Sequence, residues 1–426
     1  MRAHTTIAIL ASLDTKKAET SLLKDLIEGR GHRALLIDVN MGGESAITAD
    51  YTARAVAEAG GGNIDEIRKM KDTGKASAFM IAGATKILQG LVEKGKVHGI
   101  VGFGGTSNTT IATSVMKAFP FGIPKLVLTS MVAIPAYAAQ CFGTRDIAAL
   151  HSVVDIAGLN SLVEDLLRRT AGAICGMVEM QKDRSVSLQG SRGKGLVALT
   201  EFKFSEHCTS PLRQMLEDKG YVVIPFHAQG TGDRAMEELV ADGVFDAVID
   251  IVPAGVGEEL LGGNRAGGPG RLESAGRVGI PQIIAPCGFD ALSCGPLDRG
   301  EKGDDPLWVS RQLKKRKLFI PDAFRVQARI NAEELTLIAA EVARKLNMAR
   351  GPVVLMIPKK GWSSLDKEGM PLWDPDADAV FVAELRKLLD RKIRVVELDC
   401  NLDTREFAEE ALKLFLEIGV GSGIAN

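Results

Sequence analysis

Short apolar runs of strand length recur along this chain with a helical stretch between each and the next, and that alternation leaves little choice of architecture. A strand separated from its neighbour by a helix-length crossover cannot close a hairpin. The strands therefore pair in parallel, and helices cover both faces of the sheet. In the first half, strands are expected at Thr5–Ala11, Arg33–Val39, Val97–Gly102 and, after the turn Gly122-Ile-Pro124, at Lys125–Thr129. Between them, Ala18–Gly29 carries Leu22, Leu23, Leu26 and Ile27 at helical spacing before Gly31, and further helices fall within Lys75–Glu93, Thr109–Phe119 and Asp155–Met180.

The second half repeats the order. Strands are expected at Lys194–Thr200, Tyr221–Phe226, Ala247–Val252, Gln282–Ala285, Val353–Ile357 and Ile393–Leu398, with helices at Pro211–Lys219, Arg234–Ala241 and after the last two strands. Local phrases echo as well. Gly31-His-Arg-Ala-Leu-Leu-Ile-Asp38 parallels Gly220-Tyr-Val-Val-Ile-Pro-Phe-His227, and Gly122-Ile-Pro parallels Gly279-Ile-Pro. The 426 residues are too many for one ordinary core, at roughly 150 per domain. The expectation is an α/β chain of two Rossmann-like parallel-sheet domains related by internal duplication, residues 1–185 and 195–426, joined through the polar stretch Gln181–Lys194.

Composition excludes some functions. A net charge of −2 gives no electrostatic footprint for nucleic acid, and no apolar run reaches membrane-spanning length. The start of the chain enters a strand without the long apolar stretch of a signal peptide, so a cytoplasmic location is expected. Six dispersed cysteines without C-x-x-C and six histidines without ligand spacing point to reduced, buried thiols and assign no metal.

In parallel sheets of this type ligands sit beyond the carboxyl ends of the strands, and the candidate residues fall there. The strongest element is Gly102-Phe-Gly104-Gly105-Thr106-Ser107-Asn108, where a buried strand breaks into glycines and hydroxyls and opens a helix. Glycines let backbone N–H groups approach a phosphate, and the helix start adds free donors and a positive dipole end. After the first strand, Asp14 or Thr15 caps a helix or meets a ligand; Lys16 opposes the helix dipole unless an anion binds there. Asp38 takes a ribose hydroxyl or hydrated magnesium, or is held by turn amides. Ser130 and Thr144-Arg145-Asp146 are expected along the same edge, Arg145 as a fork for phosphate or carboxylate. The pattern predicts a nucleotide or another phosphorylated ligand, although no Gly-Lys-Ser/Thr ending of a P-loop occurs.

In the second half, Gly230-Thr-Gly232-Asp-Arg-Ala235 matches the dinucleotide fingerprint, with Asp250 downstream. It follows the second strand of its domain rather than the first, which makes a nicotinamide oxidoreductase the weaker alternative. His227 is the histidine placed to act as an acid or base, near Glu237 and Asp250, or else simply lies on the surface. Gly255–Gly279 reads as a long glycine-rich functional or mobile loop with Arg271 as its ligand candidate. Asp374-Pro-Asp376-Ala-Asp378 reads as a helix start.

Taken together, Leu13-Asp14-Thr15-Lys16, Gly104-Gly105-Thr106-Ser107, Thr144-Arg145-Asp146-Ile147, His151 through Asn160, His227…Gly230-Thr-Gly232-Asp-Arg234-Ala-Met-Glu237 and Arg271-Leu272…Gly279-Ile-Pro281-Gln282 resemble one family over nearly the whole length. It is the family of bacterial and plant proteins related to the ATP-binding N-terminal domain of the tomato mosaic virus resistance protein. The resemblance implies two Rossmann-like subdomains, ATP with magnesium bound by the first, and homodimers. Departures from the family pattern concentrate in the second half: Asp233 stands at an expected glycine, Ile251-Val-Pro-Ala-Gly255 replaces threonines and a glutamate, and Asp290-Ala291 replaces Asp-Met. The functional expectation is an ATP-binding metabolic enzyme acting on a small acidic metabolite between the two halves, with His227, Glu237 or Arg271 facing that substrate. The alternative is a non-catalytic, ATP-dependent protein-binding module.

Overall fold

The computed structural model describes residues 5–181 and 193–419, so most of the polar stretch expected to join the halves lies outside the described residues. The chain divides into two compact units, Met1–Ser185 and Val186–Asn426.

In the first unit, β1 (Thr6–Ala11), β2 (Arg33–Asp38), β3 (Gly99–Gly104), β4 (Lys125–Thr129) and β5 (Ala148–His151) form one sheet in the order β2-β1-β3-β4-β5. All four pairings are parallel. The two-residue period of β1 divides its side chains cleanly. Ala8 and Leu10 pack in the core under helices Ala53–Ala59, Thr73–Glu93 and Thr106–Lys117, while Ile7, Ile9 and Ala11 pack under Lys17–Gly29 and Ser161–Gln181. Every residue of β1 is buried, which is why it reads as a continuous apolar run rather than an alternating one.

In the second unit, β6 (Leu196–Glu201), β7 (Val222–His227), β8 (Ala247–Asp250) and β9 (Gln282–Ile284) are followed by β10 (Ala291–Ser293), β11 (Leu318–Phe319), β12 (Gln327–Arg329), β13 (Val353–Pro358) and β14 (Arg394–Leu398). The main sheet runs β14-β13-β9-β8-β6-β7, again all parallel. Counted from its own first strand, it has the same 2-1-3-4-5 order as the first unit with one strand added. The echoed phrases fall at equivalent places: Asp38 and His227 both end the second strand, and both Gly-Ile-Pro turns precede the fourth.

Several expectations need correction. The helix expected from Asp155 begins at Ser161, because the Asn160 side chain accepts the N–H groups of Leu162 and Val163 and fixes the start there. The edge strand β5 and helices Ala53–Ala59, Ile64–Ile67 and Pro135–Phe142 were not anticipated; β5 is a half-exposed four-residue strand with no apolar run to announce it. Pro211 does not open its helix but lies inside Glu206–Asp218, carried by the buried face of Cys208, Leu212 and Leu216. The small antiparallel sheet β10-β12-β11 has no counterpart in the first unit.

The stretch Gly255–Gly279 is packed rather than an open loop. It contains helices Gly255–Leu261 and Ser274–Val278, and a Cβ on Gly267 would meet the Arg271 Cγ at 2.9 Å. All six cysteines are buried and free. Among the described residues no helix is long and apolar enough to cross a membrane.

Candidate functional site

The strand order of the first unit reverses between β1 and β3, the position at which a doubly wound sheet opens a crevice beyond its carboxyl edge. The turns leaving these two strands are tied together there. Ser12 Oγ donates to Asn108 Oδ1 at 2.7 Å, and Asn108 Nδ2 donates to the Phe103 carbonyl at 2.9 Å.

The helices that follow β1 and β3, Lys17–Gly29 and Thr106–Lys117, both begin with no side chain accepting their first N–H groups. In the same unit, helices Ala53–Ala59, Ile64–Ile67 and Thr73–Glu93 are each capped by a side chain, from Thr52, Asn63 and Asp72. Among the helices of this unit whose starts are described, the two bare ones are those that flank the switch point. Gly104 adopts φ +139°, a conformation an L side chain rarely takes, and Thr106 and Ser107 are exposed. Gly105, Thr106 and Ser107 together present backbone donors and hydroxyls toward solvent.

Lys16 sits at the N-cap position of the first of these helices. Its ammonium donates to the Ile156 carbonyl, in the segment that returns over this edge after β5, and Gly158 N in that segment donates to Glu19 Oε1 at 2.8 Å. Val153, in the same return, is exposed with φ +61°, a costly conformation for a β-branched residue. Asp14 and Thr15 do not cap the helix. Asp14 accepts from Thr15 N at 2.8 Å and from Gly43 N at 3.1 Å, which joins the β1 turn to the glycines beyond β2. Ser130 follows β4, half exposed on the same edge.

The other residues expected at this edge are placed elsewhere. Asp38 is fully buried, its carboxylate accepting from Leu13 N, Asn40 N, Asn40 Nδ2 and the Ser45 hydroxyl, so it offers nothing to ribose or magnesium. Asn108 is turned inward by the two bonds just described. Thr144, Arg145 and Asp146 precede β5, and in a parallel sheet they therefore belong to the amino-terminal edge. There Asp146 pairs with the buried Lys125 at 2.7 Å and accepts from Gly122 N at 2.8 Å. Of the two carboxylates expected at this edge after β1 and β2, Asp14 is the partly exposed one, and a hydrated magnesium ion carried in on phosphate needs one or two carboxylates rather than a protein cage. Among the described residues no group of three or more His, Cys, Asp or Glu could hold a metal by itself.

In the second unit, Arg271 is a buried structural hub and not a ligand fork. Its guanidinium donates to Asp233 Oδ1 at 3.1 Å, Glu237 Oε1 at 3.1 Å and Asp250 Oδ2 and Oδ1 at 2.5 and 2.8 Å. Burial by itself would lower the Arg271 pKa, but Asp250 and Asp233 outweigh it and hold the group well above its ordinary value. Glu237 is used up as well, accepting from Leu272 N and Ser274 N. Asp233, one of the departures from the family pattern, also accepts from Gly230 N at 2.6 Å, and its burial raises its pKa. His227 is exposed, accepts from Gln229 Nε2 at 3.0 Å, and lines a different cavity from the one bordered by Glu237 and Arg271. Of the three candidates, Glu237 and Arg271 are therefore engaged with the protein itself, and His227 lies apart from them.

Fold and edge geometry thus define a two-unit, doubly wound α/β protein whose first sheet has its switch point between two helix starts free of side-chain caps. The chain belongs to the family described as Uncharacterised protein family (UPF0261), whose N-terminal and C-terminal domains match residues 5–183 and 194–419. It is similar to a UPF0261 protein of Clostridium tetani, 34% identical over 94% of this chain and 96% of that one, and to one of Brucella suis, 31% identical over 97% and 96%. It is also similar to the ToMV resistance protein Tm-1(GCR237) of Solanum lycopersicum, 29% identical over 81% of this chain and 45% of the tomato protein. A UDP-N-acetylglucosamine 2-epimerase of Rickettsia bellii aligns with 66% of this chain and 78% of its own at 9% identity and a TM-score of 0.23, which carries no argument.

Proposed function

We propose that the first unit binds a nucleotide, ATP with magnesium, by its phosphates at the carboxyl edge between β1 and β3. The observation that carries this reading is the pair of side-chain-free helix starts, Lys17–Gly29 and Thr106–Lys117, on the two strands that flank the switch point. A phosphate there satisfies N–H groups at both helix starts at once. It also reverses the unfavourable placement of Lys16 at a positive dipole end. Gly105, Thr106 and Ser107 supply amides and hydroxyls, and Asp14 meets the magnesium. In this reading the protein is cytoplasmic and works as a homodimer.

Thr106 is the first helical residue, and Gly105 before it has φ −81° and ψ −160°, a conformation compatible with a following proline. Thr106→Pro is therefore expected to fold while deleting one amide donor. Calorimetric titration with Mg-ATP should show weaker binding for Thr106→Pro than for Thr106→Ala. Lys16→Ala should lose roughly five- to tenfold, the scale of one charge-assisted hydrogen bond at a partly exposed site. Unchanged affinity in Lys16→Ala and Thr106→Pro, or no nucleotide binding at millimolar concentration, rejects the assignment. Phosphate release in the same samples tells an ATP-consuming enzyme from a nucleotide-gated binding module.

A further inference from the structure

The second unit has a cavity of about 330 Å³ at the carboxyl ends of β6 and β7, closed on its other side by β10, β12 and the segment before β12. Its walls carry four basic side chains, Lys203, His227, Arg265 and Arg325, and no carboxylate. Lys203 and Arg325 each have a local partner on the protein surface, Glu206 and Asp322. Arg265 differs. Its backbone N–H donates to Glu258 Oε2 at 3.4 Å, but its half-buried guanidinium has no hydrogen-bond or ion-pair partner among the described residues. Burial, and secondarily the neighbouring Arg325 charge, lower its pKa in spite of the nearby Glu258.

Burying a guanidinium is costly unless it is hydrogen-bonded and paired; Glu258 takes the Arg265 backbone N–H rather than the guanidinium, and Arg265 lines the cavity. The remaining walls are aromatic and polar. Phe202 and Phe204 stack edge to face at 5.1 Å, and Phe324 stands 81% exposed at the rim, unusual for so large an apolar side chain. Gln229, Asn264 and Gln327 supply amides around them. The volume is at the small end of ligand sites, and a planar guanidinium fork fits a carboxylate or a phosphate equally well.

We propose that this cavity binds a small organic anion, a carboxylate or phosphate monoester with a flat apolar body, held by Arg265 at its charged end and by Phe202, Phe204 and Phe324 along its body. The site is separate from the proposed nucleotide edge and does not depend on it.

The test is titration of the full chain with benzoate, phenyl phosphate and neutral benzamide, followed by ligand-observed NMR or calorimetry. At least one of the two anions should bind clearly more tightly than benzamide, and their relative affinities tell carboxylate from phosphate recognition. Arg265→Ala should lose about tenfold or more for the preferred anion, and Arg265→Lys, which keeps the charge without the fork, should recover only part of it. Lys16→Ala should leave it unchanged. Circular dichroism verifies that the variants fold, and Phe324→Ala, at an exposed position, gives a second weakening that does not touch the buried charges. Binding of both anions no tighter than benzamide, or an Arg265→Ala affinity equal to wild type, overturns the proposal.

Discussion

Arg271→Ala is expected to destabilise the second unit by about 3–5 kcal/mol, because it leaves buried carboxylates facing one another without their shared cation. Asp233, Asp250 and Glu237 come from two different turns of a helix and from the end of β8, and the one guanidinium between them fixes how helix, strand and the glycine-rich segment meet. Urea unfolding followed by circular dichroism measures the loss. Arg271→Lys should recover little of it, since a single ammonium cannot reproduce bonds made by three separate nitrogens. Asp233→Ala, which leaves Arg271 its partners Asp250 and Glu237, should cost less. If Arg271→Ala unfolds within about 1 kcal/mol of wild type, the network is not the clamp described here.

The second large effect is on pH. Glu258 is buried, accepts from Ser293 N at 2.9 Å, and its pKa is pushed up by that burial to about 7 from an ordinary 4.5. The folded chain therefore keeps a proton that the unfolded chain has already released, and stability falls as pH rises from about 4.5 to about 7. The expected loss is on the order of 3 kcal/mol, with no further contribution from this group above the upper limit. Burial also raises the pKa of the neighbouring pair Asp366 and Asp378, beside Arg329, and the pair adds a slope of the same sign. Glu258→Gln keeps the shape and removes the titration. The difference in unfolding free energy between wild type and Glu258→Gln should therefore change across pH 4.5 to 7, and a difference that stays constant with pH rejects the assignment.

The way the site residues were sorted follows from the range of the forces involved. The Gly104–Ser107 turn was legible because its chemistry is local: a strand, a φ only glycine tolerates, and a helix start follow one another in sequence. Lys16 was legible for the same reason, as a cation at the wrong end of a helix. For Arg271 and Asp38 the sequence shows that a residue type can meet a ligand, but not whether the protein meets it first, and so it leaves Asp38 open between ligand and turn amides. Asp38 finds the amides of Leu13 and Asn40, and Arg271 finds three carboxylates, one of them 38 positions away in the chain. Thr144–Asp146 was placed on the wrong edge because β5 was not recognised, and a missed strand reverses the end of the sheet to which its flanks belong. Arg265 lies in the glycine-rich segment that the sequence marked, six positions before Arg271. Only the cavity in front of it and the lack of a partner set it apart.

The alternation of apolar runs and helical faces was sufficient to determine two parallel sheets clad in helices, because hydrophobic periodicity and crossover length are properties of contiguous residues. Which strand neighbours which, and so where the order reverses between β1 and β3, which carboxylates are consumed and which arginine is left facing a cavity, was decided by the folded chain. Those outcomes depend on which donors and acceptors distant segments bring within about 3 Å of one another, and hydrogen bonds and ion pairs of that reach are formed only in three dimensions.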